Sequence, residues 1–254
     1  MKELILITIL SIVPALIYLF ILFINLPQGS VSFKKSLFYM FFGTLSVSLL
    51  LLFFELIPSW NNLADKLSSP IFKPILNLHI KYYIEVGLLE ETVKFITFLL
   101  IMHYRFKYMT VSKDTLIGSW LYCGMVGLGF AIVENIFYTI SYGNSFSLLF
   151  WRSITAMLAH LFFGLYMGYF FVISKIVNRD KNVITKFFKK YPLIKKINTI
   201  VMTLLIPTLI HGLYDLYVTI NQDNPYGGIY MLFTILFIGL LLCYKNFKNK
   251  LRNS

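Results

Sequence analysis

Charge is what this chain has least of. Only 13% of its 254 residues are Asp, Glu, Lys or Arg, against about 25% in ordinary soluble domains. No polar stretch is long enough to form a soluble domain of its own. Cysteine is nearly absent. Cys123 and Cys243 lie in apolar runs, without a CxxC neighbour or metal-ligand spacing, and read as buried free thiols. There is no HExxH, no Gly-x-Ser-x-Gly and no Ser/Lys dyad on facing segments, and no paired aspartates lie inside apolar runs. The local signatures of zincins, serine hydrolases and aspartyl proteases are therefore missing. No Ala-x-Ala site follows the first apolar run, which is longer than a signal-peptide core and reads as an uncleaved span.

What remains is apolar. Hydrophobic residues make up 58% of the chain and its mean hydropathy is +0.74. Seven runs approach the roughly 20 residues that a bilayer core demands. They are 4–24, 36–57, 79–103, 115–140, 148–176, 198–220 and 227–244, with Pro14 expected to kink the first. Backbone facing lipid must bond to itself, and the runs are too long for barrel strands. The expected fold is an all-α, polytopic membrane helix bundle of about seven helices, forming one integral membrane domain over 1–254 with a polar-residue core at about 79–220. A bias to Ile, Phe, Lys and Asn points to an AT-rich bacterial genome.

The net charge of +12 sits in short loops beside these runs, the pattern of a membrane protein facing anionic lipid rather than nucleic acid. One set of loops, 25–35, 104–114, 175–197 and the tail from 245, holds 17 of the 23 basic residues. That side is expected to be cytoplasmic, which places the N-terminus outside and the C-terminus inside. Residues 58–74 carry Trp60, Leu63, Ala64 and Leu67 at helical spacing, which suits a short interfacial helix. The basic stretch 177–197, interleaved with Phe187, Phe188 and Tyr191, suits contact with lipid headgroups.

The exceptions to this apolarity are informative. Glu90, Glu91 and Lys94 fall within five residues of the third run. A charge at membrane depth costs at least about 2.5 kcal/mol, so it needs a partner or a task. Glu134 and Asn135 lie in the fourth run, Arg152 and His160 in the fifth, and His211 and Asp215 one turn apart in the sixth. Measured down each helix from its external end, Glu134 lies about 9 Å in, His211 about 14 Å, Glu90 about 16 Å and His160 about 18 Å. Four helices of alternating direction thus bring ionisable groups to similar depth, under a topology set by loop charges alone.

Taken singly, each group has a structural reading. Glu90 or Glu91 with Lys94 makes an ion pair within one helix, Glu134 is interhelical glue, and His160 is a satisfied interior histidine. His211 with Asp215 is an oriented pair, Arg152 snorkels, Asn135 supports by hydrogen bonding, and Gly164 with Gly168 marks close helix packing. Together they suit peptide hydrolysis. A carboxylate takes a proton from water, a histidine positions that water or protonates the leaving amine, and a second donor holds the oxyanion. The same groups could bind zinc, with His160, His211 and Glu134 as candidate ligands.

These residues resemble a known family. Glu-Glu-Thr-Val-Lys at 90–94 is similar to the EExxK motif of PrsW-family intramembrane proteases, and Phe130 to Glu134 to their FxxxE. Arg152 to His160 resembles the third, histidine-bearing motif, and His211 to Asp215 resembles HxxxD. The likeness covers four runs, about half the chain. In the wider group, with the CAAX prenyl endopeptidases and bacteriocin-immunity proteins, EExxxR and a histidine in the second motif are common; Lys94 and Glu134 depart from that and favour PrsW. The resemblance implies Glu90 and Glu91 as water-activating carboxylates. Glu134, His160 and His211 complete the site, with Asp215 orienting His211, Lys94 balancing the acids and Asn135 and Arg152 in support. It also implies site-1 cleavage of a membrane-anchored anti-sigma factor outside the cytoplasm, with metal dependence open and no organic cofactor. The competing readings are a proton- or cation-coupled transporter, which lacks the expected inverted repeats here, and a non-catalytic immunity or scaffold protein of the same fold.

Overall fold

A computed structural model describes residues 2–25, 31–57, 77–108, 113–176, 192–221, 233–234 and 237–245. Among them there is no strand. The helices are α1 (Lys2–Asn25), α2 (Phe33–Leu56), a π-helix (Ile80–Leu88) running directly into α3 (Leu89–Tyr108), α4 (Lys113–Ser141), α5 (Phe146–Ile154), α6 (Ala156–Ile176) and α7 (Pro192–Ile220). Residues 237–245 form a last helix, α8. The chain folds as an all-α membrane helix bundle.

Among the described residues, five helical segments are long and apolar enough to cross a membrane by themselves: Lys2–Ile24, Phe33–Leu56, Ile117–Ser141, Phe146–Ile173 and Ile197–Ile220. The π-helix and α3 carry Glu85, Glu90, Glu91 and Lys94, all buried, and cross only where neighbours receive those groups. Two details differ from expectation. The third span is not one α-helix, because nine residues before the acid pair are π-helical. The fifth span is interrupted at Thr155, between α5 and α6. Pro14 lies inside α1. The expected interfacial helix at 58–74 and the basic loop at 177–191 lie outside the described residues, as do 227–232 and 235–236 of the expected seventh span.

The bundle is built around α4. Its most extensive contacts are with α6 and α2, while α7 packs on α6 and on the π-helix. Burial follows this order: 83% of the apolar window in α5–α6 is hidden, against 22% in α1, whose Ile5, Phe20 and Ile24 face outward. Lipid is as apolar as leucine, so hydrophobicity does not drive these helices together; close packing of small residues does. On one side of α4, Gly127 lies against the carbonyl oxygen of His160. On the other, Gly129 lies against the carbonyl of Met40, and Gly43 of α2 meets that of Val126. The GxxxG of α6 serves the same purpose: a methyl on Gly164 or Gly168 would stand 2.6 or 2.5 Å from the carbonyl oxygens of Cys123 and Trp120. Cys123 is a buried free thiol as expected, but Cys243 is only half-buried, because α8 lies at the edge of the bundle.

Two further features set helix direction. Gly143 and Asn144 both adopt positive φ, at 68° and 61°, which closes a tight turn between α4 and α5; asparagine tolerates this region better than most residues. The Ser145 hydroxyl then caps α5 by accepting from the Leu148 amide at 3.2 Å. The turn lays Arg152 beside Glu134.

We expect Gly127→Ala and Gly164→Ala each to cost about 1–3 kcal/mol through overpacking. In detergent this lowers the thermal midpoint by roughly 2–10 °C. A midpoint unchanged in both variants contradicts the close-packed α4–α6 seam.

Candidate active site

The acid pair begins α3, and Lys94 follows one turn later. Its buried ammonium has three N–H groups and uses all three. Nζ lies 2.8 Å from Glu91 Oε1, 3.3 Å from Glu90 Oε2 and 2.8 Å from His160 Nδ1 on α6. The same ammonium stands 4.1 Å over the Phe130 ring of α4, a favourable cation–π placement. Because His160 accepts at Nδ1, its proton sits on Nε2, which donates to Glu134 Oε2 at 2.7 Å. Glu134 Oε1 is paired with Arg152 Nη2 at 3.0 Å, and Arg152 Nε donates to Asn135 Oδ1 at 3.0 Å. The guanidinium also lies 3.8 Å over Tyr138. On the far side, His211 Nδ1 meets Glu91 Oε1 at 2.9 Å, while Nε2 lies 3.3 Å from Asp215 and 3.8 Å from Glu90.

All nine residues singled out in the sequence therefore join one unbroken chain of polar contacts, running Asn135, Arg152, Glu134, His160, Lys94, the acid pair, His211, Asp215. Arg152 does not snorkel; it is held by Glu134, Asn135 and Tyr138. Both adjacent glutamates, not one, reach the centre, because Lys94 at i+3 and i+4 sits between their long side chains. Glu91, Lys94, His160 and His211 are sealed, whereas the side chains of Glu134, Arg152 and Asp215 retain 15–24% exposure. Those three form the rim of the opening, and Glu90, 10% exposed, is the acid of the pair nearest it.

Several residues that shape the site carry no sequence signal of chemistry. Phe163 stacks on His211, with centroids 4.8 Å apart and planes 21° apart, and His160 stands edge-on to His211 at 5.1 Å. Gly127 brings α4 onto the backbone of His160 itself. On α7, a methyl on Gly212 would strike the Tyr83 ring, and one on Gly87 would stand 3.3 Å from the Thr208 carbonyl oxygen. These glycines let the π-helix and α7 close until His211 reaches Glu91. Glycine content alone could not single them out, but a glycine next to a motif histidine (Gly212 after His211) is a usable cue. π-helical turns concentrate at functional sites, and nothing in the composition of 80–88 announces this one.

The donor set suits a divalent metal. Glu90, His160 and His211 place one ligand atom each within 4.8 Å of one another, and two imidazoles with one carboxylate are a common catalytic zinc set. The sequence had nominated Glu134 as the carboxylate; it is instead bound to Arg152 and His160. Each imidazole has a carboxylate on its other nitrogen, Glu134 for His160 and Glu91 for His211, as metal-binding histidines usually do. Glu91 Oε2 is buried without a hydrogen-bond partner. Among the described residues, four carboxylates of the cluster face two fixed cations, a formal surplus of two negative charges when both imidazoles are neutral. Lys94 holds the position facing His160 Nδ1 and Glu90, so a metal and this ammonium compete for it.

The PrsW family intramembrane metalloprotease model matches residues 32–241. The chain belongs to this family. Its curated relatives include Protease PrsW of Oceanobacillus iheyensis, 27% identical over 139 residues, 55% of this chain and 54% of the relative. Protease PrsW of Bacillus subtilis is 27% identical over 156 residues, 61% of each chain. Protease PrsW of Clostridioides difficile is 30% identical over 136 residues, 52% of this chain and 49% of the relative. The matches thus span about half to three-fifths of those relatives' length. No solved structure matches this chain.

Lys94→Met should raise the zinc retained by the purified protein, measured by elemental mass spectrometry, and Lys94→Arg should not. It should also lower the thermal midpoint in chelator, since a buried pair broken on one side costs about 3–5 kcal/mol. Added zinc should then recover most of that loss. A midpoint that zinc cannot restore would show that the ammonium and a metal do not share one place.

Proposed function

We propose that this chain is an intramembrane endopeptidase of the bacterial cell membrane that hydrolyses peptide bonds in membrane-anchored proteins. The carrying observation is the convergence of Glu90, Glu91, Lys94, Glu134, His160, His211 and Asp215, from helices far apart in sequence, into one buried cluster with a polar rim. Relatives named Protease PrsW support the reaction class. The working unit is a single membrane domain whose core lies at about 79–220. The motif resemblance and the distribution of loop charge support a membrane-anchored anti-sigma factor as substrate. They also support cleavage on the extracytoplasmic side, an external N-terminus and a cytoplasmic C-terminus among anionic lipids.

A divalent metal held by Glu90, His160 and His211 would supply Lewis acidity and an activated water. The protein's own groups do the rest. Glu91 is fixed on Oε1 by His211 Nδ1, which leaves Oε2 free to accept the proton of the attacking water. Glu134 holds His160 in one tautomer through Nε2, and Glu91 on Nδ1 fixes the ring plane of His211. Arg152, steadied by Asn135 and Tyr138, keeps Glu134 in place. It also lines the rim, where a substrate backbone would enter. The burial of Glu91 and both histidines excludes bulk water from the reacting atoms.

The test is cleavage of a tagged single-span substrate in reconstituted liposomes. Glu91→Gln should abolish cleavage while leaving bound metal unchanged. Glu90→Ala should lose metal and activity together, with both variants still inserting in the membrane. His160→Ala and His211→Ala should each lower kcat/KM at least 100-fold. Wild-type cleavage in both glutamate variants would remove the acid pair from the mechanism, and full activity in chelator would remove the metal.

A further inference from the structure

Away from the polar cluster, α2 and α3 part to leave an apolar groove of about 660 Å³. Its walls are Phe38, Phe42, Leu45 and Leu49 of α2 and Leu100 and Ile101 of α3. Phe38, Leu45, Leu49 and Leu100 are exposed, so the groove opens to the lipid side of the bundle. The two helices are antiparallel here. Tyr39 donates to Met102 Sδ at 2.9 Å near one end, and Val47 and Leu50 pack against Leu89 and Val93 at the other. From Lys35 to Leu49 the groove runs along 15 residues of α2, about 21 Å. One leaflet of a bilayer core is about 15 Å deep.

The ends of the groove are unlike. Lys35 lines one end and is exposed, beside an equally exposed Lys34, on the side of the chain that carries most of the basic residues. At the other end Val47 and Leu50 of α2 pack on Leu89 and Val93 of α3. A charged head at one end of a leaflet-deep apolar trough matches a lipid. At about 30 Å³ for each methylene- or water-sized group, the space accommodates roughly 20 such groups, the size of one acyl chain with its ester.

We propose that the α2–α3 groove is a binding site for an anionic phospholipid, with its phosphate on Lys35 and one acyl chain running along Phe38, Phe42, Leu45 and Leu49. The site is separate from the polar cluster and does not depend on the peptidase reading. A lysine at the membrane surface attracts an anionic headgroup at about 1 kcal/mol, which is near a fivefold preference.

Native mass spectrometry of the full-length protein, purified in mild detergent and incubated with phosphatidylglycerol or phosphatidylcholine, tests this. The wild type should retain one phosphatidylglycerol in preference to phosphatidylcholine. Lys35→Gln should reduce that preference about fivefold. Leu45→Trp, which fills the trough from its open side, should reduce retention of both lipids. Thr97 also lines the groove, with a hydroxyl that has no hydrogen-bond partner; Thr97→Val should leave retention unchanged, because an acyl chain offers that hydroxyl nothing. Equal retention of the two lipids by the wild type overturns the headgroup assignment. Retention that survives Leu45→Trp, or is lost with Thr97→Val, overturns the acyl-chain assignment. A tryptophan that spares lipid but blocks cleavage of a membrane-anchored substrate gives the groove to a peptide helix instead.

Discussion

The structure turns on one ammonium group in a place where charge is expensive. Lys94 is 2% exposed in a chain that folds in lipid, and an unpaired cation at that depth opposes insertion of its helix. It is accommodated because each of its N–H groups has an acceptor: two carboxylates of its own helix and an imidazole of α6. The local pairs with Glu90 and Glu91 form as soon as α3 forms. The bond to His160 needs α6 to be in place, so the lysine converts local helix geometry into a tertiary constraint. From His160 the constraint passes to Glu134 on α4 and Arg152 on α5, and from Glu91 to His211 on α7. In a bundle where hydrophobicity does not choose helix partners, such bonds fix which faces meet.

The same bonds leave the site electrically unfinished. Neutralising Lys94 and Arg152 consumes two of four carboxylates, and among the described residues the remaining pair has imidazoles beside it, which leaves two negative charges while those rings are neutral. In a low dielectric this is an unstable balance. Protons can correct it, and so can a divalent cation held by Glu90, His160 and His211. A site tuned only for stability would have closed the balance with two more basic side chains. Keeping it open makes the cluster costly to fold and suited to chemistry with water, the substrate that a membrane interior otherwise lacks. The rim residues Glu134, Arg152 and Asp215 keep partial exposure while the acid–imidazole centre stays sealed.

Much of this was legible in the sequence, for a physical reason. Inside an apolar span a charged residue is improbable by chance, so Glu90, Lys94, Glu134, Arg152 and His211 stand out without any structure. The similar depth expected for Glu90, Glu134, His160 and His211 came from helix rise and loop charge, which need no knowledge of packing. What stayed hidden depends on contacts between helices. The π-helix at Ile80–Leu88 has an ordinary composition, and it changes the turn that aims the acid pair. Glu134 is the carboxylate that the sequence nominates for a metal, and spacing does not show that Arg152 and His160 take its two oxygens. The order of the polar contacts, with Lys94 between the acids and His160, cannot be read from spacing because it joins residues 66 positions apart.

The glycines show how precision reaches the site from residues that hold no chemistry. A hydrogen bond such as His211 Nδ1 to Glu91 at 2.9 Å tolerates a few tenths of an ångström, whereas a single methyl between two helices displaces them by more. Gly127 against His160, and Gly212 against Tyr83, remove that methyl at the positions next to the two imidazoles. Polar groups alone would not suffice, because long side chains such as Lys94 and the glutamates can reach partners from many helix separations, and imidazoles cannot. The short, rigid members of the cluster therefore set how closely the helices must approach, glycine permits that approach, and the flexible acids and lysine fill in around it. Restoring one methyl beside either histidine would leave every polar residue present and still open the contact on which the site depends.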